Sequence, residues 1–384
     1  MRAIMFRHKC EELIRLAALC TVITVFGAML PFSSSAADGP EADIGAKIGQ
    51  MLMVGFRGLE VDEGSPVIRD IREGRIGGVI LFDYDVPSAA PVRNIESLQQ
   101  VKKLVAALKG AAPIPLFVAI DQEGGRVCRL KEKFGFPPSV SAQYLGSLDN
   151  IETTKKSADA TAETLASLGI NLNFAPVVDL NTNPDNPVIG RLERSFSADP
   201  AVVTRQAIAV IDSLHGRGIL SGIKHFPGHG SSTADSHEGF VDITQTWSRE
   251  ELIPYDRIIK AEKCDMIMTA HVFNGTLDPR WPATLSSEVM HILRDYMGYE
   301  GVVISDDMQM KAIRESYGFE TAIERAVLAG VDILVFANNS VFEEDVASKA
   351  GAILERLVRG GTISADRIDE SYRRIMKLKE RLRR

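Results

Sequence analysis

GVVISDD, Gly301 to Asp307, places the β-branched Val302, Val303 and Ile304 in succession and then ends on Ser305, Asp306 and Asp307. A run apolar at consecutive positions suits a strand covered on both faces, as in a parallel sheet, and the charged end marks where such a strand leaves the core. Runs of this form recur along the chain: IGQMLMVGF (48–56), IGGVILF (76–82), PLFVAID (115–121), INLNFAPVVDL (170–180), ILSGIKHF (219–226), DMIMTAHVF (265–273) and DILVFAN (332–338). With 301–307 they make eight. Between them lie segments with helical periodicity, among them 96–111, 157–169, 201–218, 286–298 and 319–330, several closing on glycine as helix C-caps do.

Eight strand-helix units fit an α/β fold of the (β/α)8 TIM-barrel type, roughly 250 residues or more, read here as one catalytic domain over 38–384. An open doubly wound sheet is the competitor. Against it, the first unit lacks a G-x-G-x-x-G turn, and the polar residues collect at many strand ends instead of one switch point. Asp121 closes the third run, followed by Glu123, Arg126 and Arg129; Asp179 lies near the end of the fourth, before Asn183, Asn186 and Arg194. Lys224 and His225 close the fifth run, His271 the sixth, Asp306 and Asp307 the seventh, and Asn338 the eighth. In a barrel these ends meet at one mouth, so the agreement points to an active site there.

The chain has 384 residues and a formal net charge of −7, with no basic patch, which argues against a nucleic acid partner. MRAIMFRHK is basic and leads into the apolar LAALCTVITVFGAMLPF and then SSSAADGP, with Ser35 and Ala37 in an A-x-A-like arrangement. Residues 1–37 therefore read as a secretory signal and the protein as periplasmic or extracellular. The alternative is a retained membrane anchor, since about 17 apolar residues approach the length of a span; N-terminal sequencing of the mature protein separates the two. Beyond that segment only Cys128 and Cys264 remain, which excludes a disulfide framework.

KHFPGHGSSTADSH, Lys224 to His237, gathers most of the reactive side chains. His225, His229, Asp235 and His237 are all metal-ligand types, but Pro227 and Gly228 break the helix that H-x-x-x-H ligation needs, so no metal and no cofactor is expected. The glycines match no phosphate loop. Asp235 stands two residues before His237, close enough to accept an imidazole N–H, fix the tautomer and raise the basicity of the ring, an acid/base dyad. A strand-end carboxylate of Asp306 or Asp307 supplies a candidate nucleophile at carbon. Asp307 is the weaker of the two, since neighbours in a strand point to opposite sides.

Taken together, KHFPGHG-x4-DSH, DQEGGRV (121–127), NFAPVVDLNTNPDNPVIG (173–190), MTAH (268–271) and ISDDM (304–308) resemble, in order, the motifs of the single-domain β-N-acetylhexosaminidases of glycoside hydrolase family 3. The resemblance runs from about residue 44 to the last helix. It implies Asp306 as nucleophile, His237 as general acid/base partnered by Asp235, and Asp121, Arg129, Arg194, Lys224 and His225 as the residues that hold the −1 sugar. It further implies a monomer acting on terminal β-linked GlcNAc of peptidoglycan fragments or chitooligosaccharides, through a glycosyl-aspartate in the retaining scheme. Arg194 follows IGRLE, a segment about two residues longer than the family's short form, and EGFVDIT follows the dyad where many members have a proline.

A neutral imidazole does not repel an anionic acceptor as a carboxylate would, so phosphorolysis can compete with hydrolysis. The alternatives are a β-glucosidase or broad hexosaminidase, a metal-dependent hydrolase, and a non-catalytic sugar-binding protein. The last has no need of a nucleophile together with a dyad. Glu123 is the rival acid/base, read as structural, and His229 and His271 read as site architecture or packing.

Overall fold

The computed structural model describes residues 43–383. The expected signal or anchor, 1–37, lies outside the described residues. Asp43 opens the first helix, α1 (Ile44–Gln50), by accepting the N–H groups of Gly45 and Ala46 on Oδ1 at 2.6 and 3.1 Å. The chain then alternates: β1 (Leu52–Gly55), α2 (Pro66–Arg72), β2 (Gly78–Leu81), α3 (Leu98–Gly110) and β3 (Phe117–Ile120). Next come α4 (Ala142–Leu148), α5 (Ile151–Leu168), β4 (Leu172–Asn173), α6 (Pro200–His215), β5 (Leu220–Phe226), α7 (Ile253–Lys260) and β6 (Met266–Thr269). The last elements are α8 (Ser287–His291), β7 (Val302–Asp307), α9 (Lys311–Tyr317), α10 (Phe319–Ala329), β8 (Ile333–Phe336), α11 (Val346–Arg359) and α12 (Ala365–Lys379).

All eight strands pair in parallel and in sequence, and β8 pairs with β1, so the sheet closes into the expected barrel. Phe117, Phe174, Phe226 and Phe336, from or beside four different strands, are fully buried. Two expected strands need correction. The reading 48–56 ran across a boundary: 44–50 is α1, and only 52–55 is strand, because an apolar buried helix end and an apolar strand look alike by pattern. The reading 170–180 shrinks to 172–173. There asparagine side chains replace ladder bonds, Asn171 accepting the Val118 N–H at 2.7 Å and Asn173 accepting that of Gln122 at 3.0 Å. The expected helix 286–298 is α8 followed by a π-helical turn, Ile292–Tyr296.

Two strands carry an extra residue near the mouth. Between Ile223 and Phe226 on β5 there are three steps against two on β6, from Ile267 to Thr269. From Ile304 to Asp307 on β7 there are again three steps against two on β8, from Ile333 to Val335. These bulges fall on Lys224 and His225 and on Ser305 and Asp306, where a bulge can re-aim a side chain that strict alternation would fix.

The exits of β4 and β5 are held in close contact. A Cβ built on Gly230 would lie 1.7 Å from the carbonyl oxygen of Leu180, backbone that has no flexible end to move aside. Gly230→Ala is therefore expected to destabilise the protein by about 1–3 kcal/mol, seen as a lowered midpoint in a thermal melt; a midpoint equal to wild type would contradict this packing.

Candidate active site

The mouth is organised around Asp179, fully buried beyond the end of β4. Its Oδ1 accepts the backbone N–H groups of His225 (3.1 Å) and His229 (2.9 Å), and its Oδ2 accepts Nδ1–H of His225 (2.7 Å). Burial alone would raise its pKa; the His225 imidazole and these hydrogen bonds hold it below the ordinary value instead. His225 thereby takes the tautomer that leaves Nε2 as acceptor, 3.3 Å from Nη2 of Arg194. The sequence displayed Asp179 at a strand end but gave no sign of this role.

A second network joins the exits of β3 and β5. Lys224 Nζ stands 2.6 Å from Asp121 Oδ1 and 2.7 Å from Glu123 Oε1. Arg194 grips Glu123 with two bonds, Nε to Oε2 at 2.8 Å and Nη2 to Oε1 at 2.7 Å, and donates Nη1–H to the Val188 carbonyl at 3.0 Å. Burial of Glu123 is outweighed by Arg194 and Lys224, which keep its carboxyl well below the usual range. A carboxylate fixed as an anion between two cations is a poor proton donor, so Glu123 takes the structural part. Arg129 lies at 3.6 Å from Asp121 and 3.8 Å from Asp83, and Lys131 Nζ at 2.5 Å from Asp83. Asp83 and Lys131 extend the network to the β2 exit and were not singled out from sequence. The turn after Glu123 requires its glycines: Gly124 and Gly125 have φ of 100° and 57°, and a Cβ on Gly125 would approach Ser141 Cβ at 2.6 Å.

The third group lies at the exits of β6 and β7. Asp306 is half-buried, and its Oδ1 accepts the Asp307 N–H at 2.8 Å. Burial would raise its pKa, but the neighbouring imidazoles of His271, His225 and His237 prevail and bring it down to about 2. Asp307 differs in kind. Its Oδ1 accepts N–H groups of Gln309 (3.1 Å) and Ala337 (3.0 Å), and burial pushes its pKa up to about 6. Both its partners are backbone, so it stitches β7 to β8. His271 is equally committed: Nε2–H donates to the Asp307 carbonyl (2.9 Å) and Nδ1 meets Thr284 Oγ1 (2.8 Å).

His237 lies on the loop after β5. Asp235 Oδ1 accepts both its backbone N–H and Nδ1–H, each at 2.8 Å, which leaves Nε2 for reaction. The imidazole is 56% exposed, so that nitrogen is open to an incoming molecule. Crowding in the mouth works against its charge, but the Asp235 hydrogen bond and the nearby Asp306 and Asp235 carboxylates raise its pKa above the ordinary histidine value. His229 goes the other way, with burial lowering it to about 4 while its ring nitrogens meet Ser232 (2.8 Å) and Ser236 (3.2 Å). The histidines of this stretch are thus held by separate partners, and among the described residues no three His, Cys, Asp or Glu side chains are grouped to hold a metal ion.

The turn beneath that loop rests on Glu251. Its Oε2 accepts the Gly230 N–H at 3.1 Å, and Trp247 Nε1–H donates to the Pro227 carbonyl at 3.0 Å. Burial raises the Glu251 carboxyl to about 7. S-R-E-E (248–251) is the sequence signal that was available for it, since a glutamate three residues after a serine marks a helix start.

Residues 43–378 match the family described as "Glycosyl hydrolase family 3 N terminal domain". The chain is 37% identical over 333 residues to "Beta-hexosaminidase A" of Pseudoalteromonas piscicida, covering 80% of this chain and 54% of that protein. It is 36% identical over 292 residues to "Beta-hexosaminidase" of Tolumonas auensis, covering 75% and 83%. Among solved structures it is similar to a glycoside hydrolase family 3 beta-N-acetylglucosaminidase from Paenibacillus sp. str. FPU-7, with a TM-score of 0.80 and 36% identity, covering 88% of this chain and 62% of that one. The chain thus spans about half to two thirds of two of these proteins and most of the third.

The raised pKa of His237 has a direct readout. With Asp235→Asn the carboxylate that favours the imidazolium is lost, so the NMR titration midpoint of His237 should lie above the ordinary histidine value in the wild type and move to lower pH in the variant. Equal midpoints would show that Asp235 does not tune the ring.

Proposed function

This chain belongs to glycosyl hydrolase family 3, and from that premise we propose that it is a retaining exo-β-N-acetylglucosaminidase, removing terminal β-linked GlcNAc from peptidoglycan fragments or chitooligosaccharides. The observation that carries the proposal is one mouth holding a half-buried carboxylate, Asp306, whose pKa is brought down, and an exposed imidazole, His237, bonded to Asp235 at 2.8 Å, whose pKa is raised. A nucleophile must be an anion and a general acid must hold its proton at the same pH, and this environment drives the two in those directions.

In the proposed reaction Asp306 attacks C1 of the sugar and forms an ester bond as the C1–O bond to the leaving group breaks. The leaving oxygen takes the proton from His237 Nε2. His237 then removes a proton from water, the water oxygen bonds to C1, the ester breaks, and Asp306 returns as a carboxylate. Two displacements at C1 keep the β configuration. Asp121, Arg129, Arg194, Lys224 and His225 hold the sugar in this reading. Asp121 is the acceptor for sugar hydroxyls, beside the Lys224 and Arg129 donors, while His225 and Arg194 stand side by side, 3.3 Å apart.

The related proteins support the hexosaminidase reading over a β-glucosidase by the activities in their names. A parallel assay with aryl β-GlcNAc and aryl β-glucoside tests it: the GlcNAc substrate should turn over faster, and in Asp306→Asn that rate should fall by about three orders of magnitude or more. Faster cleavage of the glucoside removes the specificity claim, and an unchanged Asp306→Asn rate removes the mechanism. The same assay in phosphate buffer reads phosphorolysis, with glycosyl phosphate as the product.

A further inference from the structure

Phe240 is the one large apolar side chain left exposed on the loop that follows β5, at 51%, and it lies three residues after His237. Apolar rings are normally withdrawn from water, and a half-bare ring beside a reactive group marks a contact surface. Its ring is not loose. It rests on Phe273 with centroids 5.5 Å apart and planes inclined at 39°. The backbone beside it is locked too: Phe273 N–H donates to the Val241 carbonyl (2.8 Å) and Ile243 N–H to the Phe273 carbonyl (2.9 Å), a short parallel bridge between the β5 loop and the chain leaving β6.

Phe273 follows His271 by two residues, and His271 Nε2–H donates to the carbonyl of Asp307, the residue next to Asp306, at 2.9 Å. Two residues of chain span at most about 7 Å. The aromatic pair is therefore tied on one side to a residue bonded beside the nucleophile and on the other to His237, three residues back along the β5 loop. A general acid acts at the junction between the sugar that is cut off and the group that leaves. A flat apolar face at that place suits the C–H face of a second pyranose, since aromatic rings offer large, rigid contact area at little entropic cost.

We infer that Phe240, backed by Phe273, is the platform for the leaving-group sugar, so that the enzyme is built for a disaccharide or longer glycan and not merely for a terminal GlcNAc on any aglycone. The inference rests on the reading of His237 as proton donor.

The test compares N,N′-diacetylchitobiose with the β-fluoride of GlcNAc, which shares the cut sugar but carries no second ring and needs no proton donor. The readout is the ratio of kcat/KM for the disaccharide to that for the fluoride. Phe240→Leu, which keeps an apolar group on Phe273 but removes the flat face, should lower that ratio at least tenfold, and Phe240→Trp should restore it. A ratio unchanged in Phe240→Leu, including one in which both substrates decline together, overturns the platform. A wild-type protein inert toward both substrates would instead remove the proposed activity, and this inference with it.

Discussion

Asp179 is the constraint on which the mouth depends. β4 pairs for only two residues, and beyond Asn173 a single parallel bridge, Val177 beside Lys224 with the Val178 N–H donating to the Lys224 carbonyl at 2.8 Å, carries the backbone contact between the fourth and fifth exits. One carboxylate extends that contact to the turn, gathering two backbone N–H groups and an imidazole N–H from the β5 exit at 2.7 to 3.1 Å. A fully buried carboxylate is tolerated only when its oxygens are satisfied by donors. Here the donors are the turn itself, so satisfying Asp179 and shaping the K-H-F-P-G-H-G segment are the same event. The close approach of Gly230 to Leu180 follows from it, as does the support of that turn by Glu251 and Trp247 from below.

With the turn fixed, the charges sort by distance from solvent. Nearest the core, Glu123 is locked between Arg194 and Lys224, and Lys224 reaches on to Asp121. Such buried pairs add little net stability once desolvation is counted, but removing one member leaves an uncompensated charge. They define the shape and polarity of the floor. At the open side stand the half-buried Asp306 and the exposed His237, whose pKa values are driven apart by each other and by their neighbours. The bulges on β5 and β7 are what permit this division, because each inserts its extra residue where a side chain must turn toward the mouth.

Much of this was legible in the sequence. Eight apolar runs with polar ends translate directly into a parallel barrel with a polar mouth, since burial on both faces and a solvated exit are each visible in residue type. The D-x-H spacing of Asp235 and His237 is a local relation and survives folding for that reason. What was hidden depends on contacts distant in sequence or on backbone detail. The helix α1 hid in an apolar run because its buried end, Ile48 to Gln50, runs by pattern straight into the strand that follows, even though Asp43 stood ahead of it as a capping signal. Asp179 looked like one more solvated strand end, and its partners lie 46 and 50 residues away. Glu123 and Arg194 are 71 residues apart, so nothing in DQEGGRV announces the bidentate pair that takes Glu123 out of proton transfer. The aromatic pair of Phe240 and Phe273 is likewise a product of two loops meeting.

In the proposed reaction Asp306, and not its neighbour Asp307, forms the bond to sugar carbon. A GlcNAc fluoride carrying a second fluorine at C5 slows both displacements by destabilising positive charge at the ring, while fluoride departs readily enough for the first to proceed, so a glycosyl-enzyme accumulates. Proteolysis and mass spectrometry of the trapped protein then locate the sugar. One GlcNAc-derived adduct on Asp306, absent from Asp306→Asn, is the expected result; an adduct on Asp307, or turnover with net inversion and no adduct, would rule out Asp306 as the nucleophile.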